Sequence, residues 1–168
     1  MREQTLVKIL EAVKLEGEDS EALWGFNIDN PNKSYTTDKY EVICSGWLLG
    51  KKSDVVAVEI ISDSLKVAKT LVNLPRPDVA ERYPTLSKAG ICGFSVAVEV
   101  GEMLPEGELR LDAIFSDQSS LPIASIKFQK KLPFLEQVEV DLQRSRLKLQ
   151  QAQEELERVR HKFVKPEI

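Results

Sequence analysis

Side chains able to transfer a proton, attack a carbonyl or hold a metal fall into no recognisable catalytic or metal-binding pattern in these 168 residues. The one histidine, His161, lies in a stretch of helical periodicity on the side that faces solvent, so a Ser-His-Asp or Cys-His arrangement lacks its base. With Cys44 and Cys92 it makes three scattered zinc-ligand candidates without the close Cys-x-x-Cys spacing of a zinc site. Cys44, beside Val42 in an apolar run, reads as an inert buried thiol. No Gly-x-Gly-x-x-Gly or Gly-x-x-x-x-Gly-Lys-Ser/Thr loop occurs, and Gly90-Ile91-Cys92-Gly93 precedes a strand instead of a helix. An Asp-x-Asp pair, expected of a metal-dependent sugar-nucleotide transferase, is missing too. The acids Glu16, Glu18 and Asp19 read as a solvated connector. The chain therefore reads as no enzyme, with no catalytic residue, cofactor or metal site.

Binding chemistry is better represented. Asn73 to Pro84 is the most distinctive local segment, and its Arg76 and Asp78 are either part of a ligand site or partners for the backbone groups of a long loop. Trp24, Tyr35, Trp47 and Tyr83 are either core and sheet-edge packing or a platform on which sugar rings could stack. The platform alternative requires at least two of these rings exposed on one surface with polar groups between them. Trp47, Arg76, Asp78 and Tyr83 are the candidate ligand or partner surface.

A formal charge of −4 argues against nucleic acid, which draws on clustered Lys and Arg. Charges balance in residues 132–168, so the whole excess falls in residues 1–131. Two cysteines are too few for a disulfide framework, which favours a reduced, cytoplasmic setting. Charged residues interrupt every short apolar run near the N-terminus, excluding a secretory signal there, and no stretch approaches the roughly 20 apolar residues of a membrane span.

The elements that would position these residues follow from periodicity. Leu6, Ile9, Leu10 and Val13 are spaced as on an amphipathic helix, which predicts a short N-terminal helix and linker over residues 1–20. A β domain, sandwich or barrel, is expected over 21–131. Trp24–Ile28, Tyr40–Leu49, Val55–Ser62, Lys66–Val72, Phe94–Val100, Leu109–Phe115 and Leu121–Phe128 are short apolar runs separated by turn residues. Phe94, Val96, Val98 and Val100 alternate with smaller or polar residues, as do Leu109, Leu111, Ala113 and Phe115, which predicts antiparallel sheets wet on one face. Gly50–Asp54, Asp63-Ser64 and Asp117–Ser120 are too short for crossover helices, so consecutive strands should pair as hairpins. The longer Asn73–Gly93 link should cross between the sheets, with Asp78 as N-cap of one helical turn.

From residue 132 to 165 a heptad pattern predicts a long coiled-coil helix. Leu135, Leu142, Leu149, Leu156 and Phe163 fall at one core position and Val138, Ser145, Ala152 and Val159 at the other. In a parallel pair, Asp141 would face Arg146 and Glu155 would face Arg160. Positions away from the seam are mostly polar, with Leu147 an exception. A homodimer through this coil is expected. The alternative is an ordinary amphipathic helix folded back on the sandwich, and Ser145 and Ala152 make the seam thin.

Gly46-Trp47, Val56-Ala57-Val58-Glu59-Ile60, the Pro75-Arg76-Pro77-Asp78-Val79-Ala80-Glu81-Arg82-Tyr83-Pro84 string and Gly93-Phe94 together resemble a recurring family. It is the β-sandwich accessory domain found beside glycosyltransferase, methyltransferase and sulfotransferase domains, notably in cyanobacterial proteins of surface-polysaccharide metabolism. That resemblance covers about Trp24 to Phe128 and implies an Ig-like sandwich accompanying a transferase, with the coil as spacer or dimeriser and no catalytic residue to carry over. The expected whole is a mainly β protein: an antiparallel Ig-like sandwich with a short N-terminal helix and a long C-terminal coiled-coil helix. Its expected role is protein interaction and oligomerisation as the accessory part of a larger protein. A carbohydrate-binding module of a polysaccharide-modifying transferase is the alternative.

Overall fold

The computed structural model describes residues 5–15, 21–131 and 133–163, and the side chains of these except 133–137 and 163. Among the described residues nine strands and two α-helices follow in the order β1 (Val7–Lys14), β2 (Leu23–Asn30), β3 (Thr36–Thr37), β4 (Glu41–Gly50), β5 (Val55–Ser62), β6 (Leu65–Leu71), α1 (Pro77–Arg82), β7 (Gly93–Glu99), β8 (Glu106–Phe115), β9 (Ser120–Lys130) and α2 (Pro133–Phe163). A 3-10 turn, Ala89–Ile91, precedes β7. The chain divides into two units, Met1–Lys131 and Leu132–Ile168.

In the first unit all ladders are antiparallel and form two sheets. One runs β3-β1-β9-β8-β5-β6 and the other β2-β4-β7. Period-2 alternation builds the core between them. Val42, Cys44 and Leu48 of β4 and Phe94 and Val98 of β7 meet Val58 and Ile60 of β5, Leu109 and Leu111 of β8, and Ile126 and Phe128 of β9 in one buried cluster. At 25 cal/mol per Å², burying each such side chain contributes on the order of 1.5–3 kcal/mol. Burial pushes the Cys44 thiol up to about 12, so it stays protonated and inert.

Three expectations are corrected here. The N-terminal segment is strand β1, paired along β9 from Val7↔Lys130 to Lys14↔Ala124. Val7 and Ile9 are fully buried while Leu10 and Val13 are exposed, so the period that counts is two, and a bulge between Ile9 and Glu11 blurs it further along. Residues 7–14 therefore belong to the β unit rather than to a separate helix-and-linker segment. Second, the six- and three-stranded sheets replace the expected Ig-like sandwich, whose strands divide about four and three. The Gly50–Asp54 link makes no hairpin: β4 and β5 lie in different sheets, because β5 pairs with β6 and β8. Asp63-Ser64 does close one, both residues at positive φ (49° and 64°) as a two-residue hairpin loop requires.

Third, the C-terminal heptads form one long helix, and the expected coiled coil is not shown. The described side chains of α2 from Val138 to Lys162 are all exposed, with Val138, Leu142, Leu149, Ala152, Leu156 and Val159 among them. Leu135 and Phe163 lie outside the described side chains. A heptad pattern states that one helical face is apolar, and it does not itself supply a second helix. Val140 and Leu147 are apolar and exposed off the seam as well. α2 is not long and apolar enough to cross a membrane, and neither is any other described helix.

Candidate functional site

Strand β4 is buried on both faces from Gly46 to Leu49. Cys44 and Leu48 enter the main core, whereas Trp47 and Leu49 point to the outer face of the three-stranded sheet. That face is sealed by the segment between β6 and β7. Val79 of α1, Ala89 and Cys92 join Trp47 and Leu49 in a second, separate buried cluster flanked by Tyr83 and Leu86. The segment crosses between sheets as expected, and on its way it builds a lid over the smaller one.

Its backbone groups are met largely by backbone. Asn73 and Leu74 N–H donate to the Gly93 carbonyl (3.0 and 2.9 Å), and Arg76 N–H donates to the Gly90 carbonyl (2.8 Å). Gly93 permits this approach, since a Cβ there would lie 2.9 Å from Cγ of Arg76 and 3.1 Å from the Leu74 carbonyl oxygen. Pro77 occupies the first turn of α1, with Arg76 at the N-cap and no side-chain capping bond. Asp78 is therefore not the N-cap.

The side chains of Arg76 and Asp78 are consequently directed elsewhere. Arg76 Nε and Nη2 donate to Oδ1 and Oδ2 of Asp78 (2.9 and 2.7 Å), while Nη1 donates to Oδ2 of Asp29 on β2 (2.7 Å). Asn27 Nδ2 donates to the other Asp29 oxygen at 2.7 Å. The guanidinium, 19% exposed, is held within the lid by its planar bidentate contact with Asp78 and ties the lid to the sheet through its one bond to Asp29. The Arg76 hydrogen bonds hold the Asp78 carboxyl down at about 2, and Asp78 in turn raises the Arg76 pKa further above its already high ordinary value.

Around this network lies a cleft of about 530 Å³. Trp24, Trp47 and Tyr83 line it together with Arg76, Asp78, Asp29, Asn27, Lys14 and Arg82. Trp24 is 42% exposed, Tyr83 is half-buried, and Trp47 beneath is 6% exposed. Tyr83 is tilted at 58° to Trp47 with ring centroids 6.1 Å apart, and its hydroxyl donates to the Trp24 carbonyl at 3.5 Å. Gly25 leaves the space these rings need: a Cβ there would lie 2.9 Å from Tyr83 Oη and 3.0 Å from Trp47 Cη2.

All four residues of the predicted surface, Trp47, Arg76, Asp78 and Tyr83, thus line one cleft, and Trp24 joins them. Tyr35 does not, because it packs against the main core. Sequence reasoning missed Lys14, assigned to a helix, and Asn27 and Asp29, both on β2. The polar residues at every second position of β2, Asn27 and Asp29 following Gly25, were the available signal that this edge has a wet outer face. Among the described residues no group of His, Cys, Asp and Glu is arranged to hold a metal ion.

No family model matches the chain, and no curated protein does. Among solved structures, the chain is similar to the crystal structure of chicken MD-1 complexed with lipid IVa, at 12% sequence identity and a TM-score of 0.30, over 77% of this chain and 100% of that one. A likeness that loose assigns no ligand here.

Proposed function

We propose that the β unit is a non-catalytic module that binds a carbohydrate in the cleft between β2 and α1. The observation that carries this reading is the joint placement of exposed Trp24 and half-buried Tyr83, one fully exposed ring instead of the two first required, with the Asp29–Arg76–Asp78 network in one cavity. Aromatic faces suit the CH-rich faces of sugar rings, while carboxylates and a guanidinium exchange hydrogen bonds with hydroxyls. Because Arg76 already fixes both carboxylates, little ordering would accompany binding. The resemblance to accessory domains of polysaccharide transferases supports the same setting, with a transferase as the companion and the buried free thiols Cys44 and Cys92 consistent with a reduced, cytoplasmic one. Calorimetry against a panel of oligosaccharides tests it. Binding by the unaltered chain, lost in Trp24→Ala while the fold is kept, is expected. Binding that survives both Trp24→Ala and Tyr83→Ala would place the ligand elsewhere.

A second reading concerns α2, whose exposed Leu142, Leu149 and Leu156 favour association into a homodimer. Light scattering decides it: a dimer converted to a monomer by Leu149→Glu with Leu156→Glu supports self-association, and a monomeric unaltered chain refutes it.

A further inference from the structure

The charges around the cleft are not balanced. Three cations, Lys14, Arg76 and Arg82, line it with two carboxylates, Asp29 and Asp78, and Arg76 engages both carboxylates. Lys14 Nζ donates to the Phe26 carbonyl (3.3 Å) and lies 5.1 Å from the Phe26 ring centroid. Arg82 stacks on Tyr83 with its guanidinium carbon 5.7 Å from the ring centroid. Neither forms an ion pair with a carboxylate among the described residues. A further ammonium, Lys51 Nζ, sits 4.7 Å from the Trp24 ring centroid. This cationic rim lies in the part of the chain that carries the whole −4 charge, so it is a local feature and not the edge of a basic surface.

Resting on the carbohydrate reading above, we infer that the cleft selects acidic saccharides, those bearing a carboxylate or a sulfate. A neutral sugar would use Trp24, Tyr83 and the Asp29–Arg76–Asp78 hydroxyl partners and leave Lys14 and Arg82 without an ion-pair partner among the described residues. An acidic one presents its apolar face to the rings and its anionic substituent to those cations. Charge-assisted hydrogen bonds are stronger than neutral ones, so the anionic substituent decides affinity.

The test sets uronate-containing and sulfated oligosaccharides against their carboxyl-reduced and desulfated counterparts in calorimetric titrations of the full chain. The acidic member of a pair is expected to bind about tenfold more tightly at low salt. Either Lys14→Gln or Arg82→Gln is expected to reduce that preference about fivefold, with Arg82→Lys restoring most of it. Preference should shrink as salt rises, since exposed charges are screened. Comparing uronate with sulfate arms identifies which anion is read. Equal binding of acidic and neutral members overturns the acidic selectivity and leaves a carbohydrate cleft standing. No binding by any member overturns the carbohydrate reading itself.

Discussion

Nη1 of Arg76 lies 2.7 Å from Oδ2 of Asp29, a contact joining α1 to β2 across 47 residues of sequence. The same guanidinium holds Asp78 through its other two bonding nitrogens, so one side chain fixes the lid on the smaller sheet. Replacing it with alanine removes three charge-assisted bonds and leaves two carboxylates facing each other. Arg76→Ala is expected to lower stability by about 1–3 kcal/mol in urea denaturation, and Arg76→Lys to recover only part, because an ammonium cannot reproduce the planar fork. Amide exchange should rise first at Ala80 and Tyr83, whose N–H groups bond the carbonyls of Arg76 and Val79.

The Asp78 carboxyl provides a pH signature. Its folded value is about 2, below the ordinary 3.8, so the contribution of the Arg76 pair is present above pH 3.8 and is lost as pH falls from there through about 2. Following the Asp78 carboxyl by NMR should give a midpoint near 2. In Arg76→Ala it should move up toward the ordinary value, and in Asp78→Asn this part of the acid dependence should vanish.

Gly25→Ala would bring a methyl group to 2.9 Å from the Tyr83 hydroxyl and 3.0 Å from Trp47 Cη2. Tyr83, the less buried of the two, should yield and lose its bond to the Trp24 carbonyl. A stability loss of about 1–3 kcal/mol and weaker oligosaccharide binding are expected, whereas Tyr83→Phe should leave stability nearly unchanged.

Two buried clusters imply two levels of opening. Phe128→Ala in the main core should destabilise the β unit as a whole, by about 3–5 kcal/mol. Val79→Ala in the smaller cluster should release α1 while the β-sheet exchange pattern stays intact. Site-resolved hydrogen exchange separates the outcomes.

How far the sequence disclosed this molecule depends on which contacts specify each part. β4 to β9 were legible to within a few residues, because short apolar runs bounded by turn residues, and alternation such as Leu109, Leu111, Ala113, Phe115, are local signals. β1 was not, since Leu6, Ile9, Leu10 and Val13 satisfy a helical period by coincidence, and only pairing with β9, over a hundred residues away, makes Val7 and Ile9 the buried pair. The pairing of β5 with β8 was equally invisible, being set by the larger sheet and not by the short Gly50–Asp54 link. In the site, Arg76 and Asp78 stood out because proline-flanked charges are unusual, but their partner Asp29 is brought to them only by the packing of the lid. The heptads located α2 correctly and said nothing of what lies against its apolar face.

The chain has two tryptophans, and both line the cleft. Their intrinsic fluorescence therefore reports directly on its occupancy. Titration with the oligosaccharide panel is expected to give a saturable emission change for at least one member, reduced in Trp24→Phe. Calorimetric binding with no change in tryptophan emission, or no emission change with any member, would contradict a carbohydrate site in this cleft.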